Sequence, residues 1–366
     1  MKLTIQNNEF KKLITEASDL AGKRKDLPIL DHALIDVNGG KLTLKATDLE
    51  CQITSVVNDV NCHENRVFTL PSAKLKSICA ALGDNDVLKF TIGAEAVTLN
   101  VNRSKFKLVT LPTDGYPCIE SKDAEHKIKI GSKVLQSLIL KVLHTIPDRD
   151  VRYFLNGMFV KVVGDKLTVV GTDGHRLAVA SADLSSSYAD SRFILPYKAV
   201  LKLLKLLGSY DCDVEISFNV NNASFDFGDF VLDTILIDGN YPDYERVLPK
   251  TNTKVLTVDR MLLMSSIKRV AVLANTKHYS CTFDIKQNQI DLYAGNAELE
   301  NATEVVDVEY CDDDLTFSFN LQYMLSALPT IAEDRVTLSF TNDTTPVLVS
   351  GLNETSSVCC IMPVRV

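Results

Sequence analysis

Apolar and polar positions alternate through much of the chain, as in Lys41-Leu42-Thr43-Leu44-Lys45, Lys166-Leu167-Thr168-Val169-Val170 and Gln289-Ile290-Asp291-Leu292-Tyr293. A period of two marks half-buried strands. A few segments carry a helical period instead. In 196–207, Val200, Leu201, Leu203, Leu204, Leu206 and Leu207 cover a wide face, while Lys198, Lys202 and Lys205 fall on a narrow opposite stripe. In 131–144, Val134, Leu135, Leu138, Ile139 and Val142 form the apolar face, with Lys133, Ser137, Lys141 and His144 on the other side. The pattern predicts antiparallel sheets, each with one face covered by a small number of helices: an α+β fold.

These elements recur. FTLPSAKLKSICAALGDNDVLKFTI begins at Phe68, FILPYKAVLKLLKLLGSYDCDVEISF at Phe193 and FSFNLQYMLSALPTIAEDRVTLSF at Phe317, an interval of about 125 residues. Each reads as strand, helix, turn, strand. A second series with the same interval starts at Lys2, Lys127 and Lys254, and Thr47-Asp48, Thr172-Asp173 and Gly295-Asn296 mark equivalent strand-to-turn positions. Three tandem copies of a two-helix module follow, with boundaries at 1–125, 126–252 and 253–366. Edge strands that pair from module to module, and then from subunit to subunit, would leave no open sheet edge and close a ring.

Composition narrows the classes. The 366 residues, 46% of them hydrophobic, suit several buried cores rather than disorder. The formal charge of -8, despite 39 Lys plus Arg, excludes a chain that coats a polyanion with its whole surface. It leaves room for a local positive face such as the lysine stripes. Nine cysteines form no CxxC pair and no zinc spacing, which fits reduced thiols in a cytoplasmic protein. No run is apolar enough to cross a bilayer, and Met1 leads directly into an alternating strand.

Candidate chemistry is sparse. His175, in Thr172-Asp173-Gly174-His175-Arg176-Leu177, could be read as half of an Asp-His pair, but no nucleophile motif accompanies it. There is no GxSxG, HExxH or GxxxxGK[ST] segment. Asp84, Asp86 and Asp312-Asp313-Asp314 sit at turns, where solvation accounts for them without a metal. No catalytic residue, cofactor or metal is expected.

The chain closely resembles the bacterial replicative sliding clamp family, the beta subunit of DNA polymerase III. The resemblance spans residues 1–366 and rests on LPIL at 27–30, DVRYFLNG at 150–157, TDGHRLA at 172–178, YPDYERVLP at 241–249 and the ending MPVRV. It implies a head-to-tail homodimer ring with helices inside and sheets outside. Such a ring encircles duplex DNA and tethers a DNA-directed DNA polymerase, a nucleotidyltransferase, without catalysing anything itself. Lysines on the helices would meet phosphates and read little base sequence.

The helix pattern offers Lys133, Lys141, Lys198, Lys202 and Lys205 as DNA contacts; by matched position the resemblance adds Arg24, Arg149, Tyr153 and Phe154, with Lys74 in the phosphate role beside position 73. Tyr153 and Phe154 could equally be strand core residues. Ala73 stands where an arginine is common, and Arg149 where a glutamine is familiar. A groove for a partner's short peptide would be made by Leu155, Thr172, Gly174, His175, Arg176, Leu177, Pro242, Arg246, Val247, Pro346, Cys360, Met362, Pro363, Val364 and Arg365. Pro346 and Cys360 replace a more familiar serine and valine. In it Leu155, Leu177, Pro242, Val247, Met362 and Pro363 would take apolar side chains. The dimer seam would set Arg103, Lys105 and Phe106 against Val272, Leu273, Glu298, Glu300 and Glu304.

Implied partners are a second copy, double-stranded DNA at primer-template junctions, the replicative polymerase catalytic subunit and an ATP-dependent clamp loader. Translesion polymerases, ligase and mismatch-repair proteins would follow through short linear motifs. Two other readings stay open on sequence alone: an enzyme acting on nucleotides or DNA through His175, and a peptide-binding scaffold with no DNA role.

Overall fold

Six times, among the described residues, the chain runs from a strand straight into an α-helix. The strands Lys2–Gln6, Arg66–Pro71, His126–Gly131, Arg176–Pro196, Lys254–Asp259 and Leu315–Asn320 lead into α1 (Asn7–Leu20), α2 (Ser72–Ala80), α3 (Ser132–Val142), α4 (Tyr197–Ser209), α5 (Arg260–Val270) and α6 (Leu321–Ala327). The computed structural model describes all residues except Met1, Lys23–Lys25, Asp59, His63, Glu120–Asp123, Lys250–Thr251 and Arg365–Val366. Polar residues at the junctions start the helices. The Asp259 and Asn320 side chains accept from Leu262 N at 2.7 Å and Gln322 N at 2.9 Å, satisfying amides that lack an intrahelical partner. At α1 the buried Asn7 works differently, donating its amide to the carbonyls of Cys79 and Gly83, 3.0 Å each, and so tying α1 to the end of α2.

The chain packs as two compact units, Met1–Ser132 with Leu201–Leu236 and Lys133–Val200 with Ile237–Val366. The reason lies in the sheets, all antiparallel, which run across the sequence repeats. In the first unit a five-stranded sheet orders Asn61–Cys62, Lys2–Gln6, Val87–Ile92, Ala96–Val101 and Ser104–Val109. Its eight-stranded sheet orders His126–Gly131, Asp213–Phe218, Asn222–Asp226, Phe230–Ile235, Cys51–Val57, Lys41–Thr47, His32–Asn38 and Arg66–Pro71. In the second unit a six-stranded sheet orders Gly157–Thr172, Arg176–Pro196, Ser357–Ile361, Val347–Gly351, Arg335–Phe340 and Lys254–Asp259. A four-stranded sheet completes it, with Asn301–Asp307 outermost, then Gln289–Gly295, Ser280–Lys286 and Leu315–Asn320.

Two of these neighbour relations join sequence repeats. Cys51–Val57 of the first repeat pairs with Phe230–Ile235, the last strand of the second, with Gln52 opposite Asp233. Arg176–Pro196 of the second pairs with Ser357–Ile361, the last strand of the third, with Leu177 opposite Cys360. The two joints are equivalent. Gln52 lies opposite Thr47 in its hairpin and Leu177 opposite Thr172, while Asp233 and Cys360 close matching three-strand meanders.

Helix faces follow the sequence pattern with some corrections. In α4, Val200, Leu203, Leu206 and Leu207 are buried, but Leu201 is exposed. In α3, Leu135, Leu138, Ile139 and Val142 are buried, whereas Val134 and Leu140 are exposed. The sheet covers a narrower arc of each helix than the count of apolar residues suggested.

Candidate peptide groove and helix lysines

The turn between the strands Gly157–Thr172 and Arg176–Pro196 is built by its own side chains. Asp173 Oδ1 accepts from the amides of His175 and Arg176 at 2.9 and 3.0 Å, and Oδ2 accepts from Arg176 Nε at 2.9 Å. Thr172 Oγ1 donates to the Arg176 carbonyl at 2.7 Å and accepts from Gly174 N at 3.1 Å. Gly174 has φ +85°, and a Cβ there would lie 2.8 Å from Arg152 Nη1. The left-handed backbone is what favours glycine here, since the end of the Arg152 side chain could move aside. Arg152 itself is held by Asp150 at 2.8 and 2.9 Å and donates to the Asp173 carbonyl at 2.9 Å. Asp173 is therefore a turn-builder paired with Arg176, not the orienting acid of a His175 dyad. The enzyme reading loses its central pair.

Around this turn the second unit gathers the residues expected of a groove. The Met362 amide donates to the His175 carbonyl at 3.0 Å, which sets the exposed Met362 beside the exposed His175. Arg176 reaches α6, donating to Ser326 Oγ at 2.5 Å with its guanidinium carbon 4.6 Å above the Tyr323 ring. It is an anchor of the wall, not a free cation. Val364 pairs with Ser318 and Pro363 is half-buried. Leu177 and Cys360 belong to a buried apolar cluster with Phe159, Val170, Ile194 and Tyr244, against which Phe154, Tyr241 and Leu248 pack. Phe159 and Tyr241 stack with centroids 4.8 Å apart.

Leu155, Leu177 and Cys360 are buried, so Leu155 and Leu177 do not present the open apolar surface expected of them. The apolar groups at the surface are Pro242, Val247 and Met362, with Pro346 half-buried ahead of the strand Val347–Gly351. Arg246 is exposed and pairs with Asp243 at 2.8 Å. Arg365 lies outside the described residues.

Burial raises the thiol pKa of Cys360 to about 12, so it acts as a small apolar residue at neutral pH. Burial, aided by the charge of Arg176, pushes His144 down to about 4. Its Nε2 lies 3.7 Å from Cys359 Sγ, which corrects its expected place on the polar side of α3.

The expected cationic positions divide by environment. Lys74, Lys133 and Arg149 are exposed. Lys141 is not: its side chain is 18% exposed and donates to Glu354 Oε2 at 2.7 Å, a residue far along the chain that the helix pattern could not reveal. Burial opposes ionisation of Glu354, but Lys141 and the Ser356 amide and hydroxyl outweigh it and hold its pKa down at about 2. Lys202 donates to the Asp19 carbonyl, and Lys205 binds the Asp19 carboxylate with Glu16 at 3.7 Å. Lys198 is half-buried. Tyr153 and Phe154 lie in a 3-10 turn, Tyr153–Leu155, so strand alternation does not apply to them; Tyr153 is exposed and Phe154 packs on the groove cluster. Arg24 lies outside the described residues.

No group of three or more His, Cys, Asp or Glu among the described residues is arranged to hold a metal. Asp86 accepts from Gly83 N and Asn102 Nδ2, each at 2.9 Å, while Asp84 pairs with Lys11 and Asp313 with Lys254, each at 3.1 Å.

Three family models match in succession, described as the N-terminal (1–120), central (129–243) and C-terminal (245–365) domains of the DNA polymerase III beta subunit. The chain belongs to that family. It is 34% identical to the beta sliding clamp of Vibrio cholerae and 32% identical to that of Escherichia coli K12, with the whole of each chain covered. A crystal structure of the Pseudomonas aeruginosa DNA polymerase sliding clamp with ligand superposes with a TM-score of 0.97 at 32% identity over both full chains. Another from that organism, bound to griselimycin, gives 0.96. The chain is a DNA sliding clamp, a processivity subunit with no catalysis of its own.

In this clamp the residues expected at the dimer seam lie on or just before the outermost strands Ser104–Val109 and Asn301–Asp307, except Val272 and Leu273, which lie in a 3-10 turn, Ala271–Leu273. Arg103 and Lys105 are exposed, with Phe106 half-buried, along Ser104–Val109 of the first unit. Val272 is 79% exposed beside the half-buried Leu273 in the second. Glu298 and Glu300 are exposed on the turn ordered by Asn296, and Glu304, on the strand Asn301–Asp307, is bonded to Arg269 within its own unit. Sequence reading missed two apolar groups there, Leu299 (91% exposed, φ +66°) and Val305 (60% exposed). The signal for Val305 was alternation out of phase with the buried Val306; Leu299 sits on the preceding turn, where alternation does not apply. It also missed Lys76, which donates to Asp19 at 2.5 Å.

Proposed function

We propose that two copies of this chain join head to tail into a ring that encloses duplex DNA. In this reading the three modules 1–125, 126–252 and 253–366 repeat twice around the ring, with helices facing the DNA and sheets outside. The ring tethers the replicative polymerase catalytic subunit, and the groove around His175, Val247 and Met362 takes a short peptide from one partner at a time. An ATP-dependent loader opens the seam at a primer-template junction. Translesion polymerases, ligase and mismatch-repair proteins compete for the groove, in the cytoplasm.

One observation carries the ring. Each inter-repeat joint pairs the strand after the Thr-Asp turn of one repeat with the last strand of the next. The strand Asn301–Asp307 stands in that position in the third repeat, and Ser104–Val109 is the last strand of the first; both are outermost in their sheets. A third joint of the same kind therefore needs a second chain, and it makes the assembly heterologous and cyclic. Edge pairing with apolar burial of Phe106, Val272 and Leu299 supplies the affinity, since exposed ion pairs contribute only about 0–1 kcal/mol each. Phosphate-directed lysines give contact without sequence preference, as sliding requires.

The test is a particle image with a native mass measurement at micromolar concentration. A dimer with an open centre, retained on closed circular DNA after loading, is expected. A monomer, or a particle solid at its centre, overturns the reading. The scaffold alternative predicts peptide binding with no loader-dependent retention on DNA.

A further inference from the structure

The C-terminal end of α1 carries an arrangement that neither helix stability nor the groove requires. Asp19 sits in the last turn, where a helix favours cations and α1 has none of its own. Three ammonium groups from two other helices converge on it. Lys76 of α2 binds Oδ1 at 2.5 Å, Lys205 of α4 binds Oδ2, and Lys202 of α4 takes the main-chain carbonyl. Glu16, one turn earlier and nearly buried, faces Lys205 at 3.7 Å. Burial works against the Asp19 carboxylate, but the hydrogen bonds from Lys205 and Lys76 outweigh it and hold its pKa below the ordinary range. Asp19 is thus held as a carboxylate at neutral pH among the three lysines. Asp19, Lys76 and Lys205 each remain about a third or more exposed, so the cluster is open to a ligand.

An oxyanion bound by several converging N–H donors is the environment a DNA phosphate seeks. We propose that Asp19 is an internal counter-ion that competes with the DNA backbone for Lys76, Lys202 and Lys205, and so sets how weakly the clamp grips its DNA. The proposal rests on the reading that α1, α2 and α4 face DNA. Its physical sense lies in division of labour: an enclosing ring needs no strong phosphate contact, and every such contact must break when the protein moves along the duplex. Asp19 is a positioning residue, acting through the lysines.

The experiment measures binding of the purified dimer to a short linear duplex by fluorescence anisotropy from 50 to 200 mM salt. D19N is expected to bind more tightly and with a steeper salt dependence. For each phosphate newly contacted, the ratio of its affinity to wild type should grow about three- to fourfold as salt falls across that range. E16Q, which leaves the last turn of α1 untouched, should move in the same direction and covers the case in which D19N fails to fold. The gain should vanish in D19N/K76Q/K205Q, which lacks both lysines that bind the carboxylate. A merely structural role would shift melting temperature without changing the salt slope. If K202Q/K205Q weakens binding while neither D19N nor E16Q strengthens it, the competition proposal is wrong. If K202Q/K205Q changes nothing in either background, the DNA-facing reading of these helices fails first.

Discussion

The repeat fixes the register of the missing joint, so the seam can be tested residue by residue. In the two observed joints Gln52 faces Asp233 and Leu177 faces Cys360. Their equivalents at the open edges are Asn301, which pairs with Gly295 as Gln52 does with Thr47, and Lys107, which pairs with Thr98 as Asp233 does with Ser224. Asn301 should therefore face Lys107 of the other subunit, and Glu304 should face Ser104. At the first joint Ile235 N bonds Glu50 O and Val56 N bonds Asp229 O, so pairs in phase with Gln52–Asp233 are the hydrogen-bonded ones. Glu304–Ser104 falls out of phase, in a non-hydrogen-bonded pair with Cα atoms about 4.5 Å apart. That lies within disulfide reach, whereas a diagonal pair two residues away, at about 7–8 Å, does not. In a background with the exposed Cys118 and Cys311 changed to serine, S104C/E304C should give a covalent dimer on a non-reducing gel after mild oxidation. S104C/A302C should stay largely monomeric on the same gel. Efficient cross-linking of the second pair and not the first would refute the register, and with it the claim that the seam repeats the internal joints.

The remaining predictions concern the second unit. Met362→Ala should weaken binding of a short apolar-acidic peptide by about tenfold, read by anisotropy, while dimer mass stays unchanged. Lys141→Met should cost on the order of 1–3 kcal/mol in urea unfolding at pH 7, because it leaves Glu354 partly buried without its cation. Glu354 is held at about 2 in the folded chain against its ordinary 4.5, so this stabilisation is full above about pH 5 and fades as pH falls toward 2. The gap between wild type and Lys141→Met should close over that window. His144 runs the other way chemically: held at about 4 against its ordinary 6.5, it stays neutral in the folded chain while the unfolded chain takes up a proton. Stability should drop by on the order of 3 kcal/mol from pH 6.5 to 4, and His144→Gln should remove that part of the slope.

The periods of two and 3.6, with the recurrence at about 125 residues, made the strands, the six helices and their order legible, because local patterning records which face of an element is buried. It does not record what the other face meets. Lys141, Lys202 and Lys205 fell on polar stripes as expected, yet their partners Glu354 and Asp19 lie more than a hundred residues away and reach them only in three dimensions. Leu155 and Leu177 looked like groove acceptors and are buried, because residue type does not distinguish a buried apolar side chain from one open to a ligand. Asp173 looked like half of a catalytic pair, and its oxygens proved to be spent on the turn that presents His175.

The same limit explains why the repeats do not fold as three separate bodies. Each repeat has a strand after its Thr-Asp or Gly-Asn turn and a last strand of its meander, and neither is covered within the repeat. The first repeat's post-turn strand is covered by the second repeat, and the second's by the third, leaving one of each kind outermost. The strand Asn301–Asp307 carries the exposed Val305, with the exposed Leu299 on the turn before it, and Ser104–Val109 carries lysines at 105 and 107. Lysines blunt a lone edge against random pairing, and a specific partner edge with carboxylates at 298 and 300 on the turn leading into its strand removes that protection selectively. The features that keep a single chain soluble are thus the ones that direct it toward a second copy.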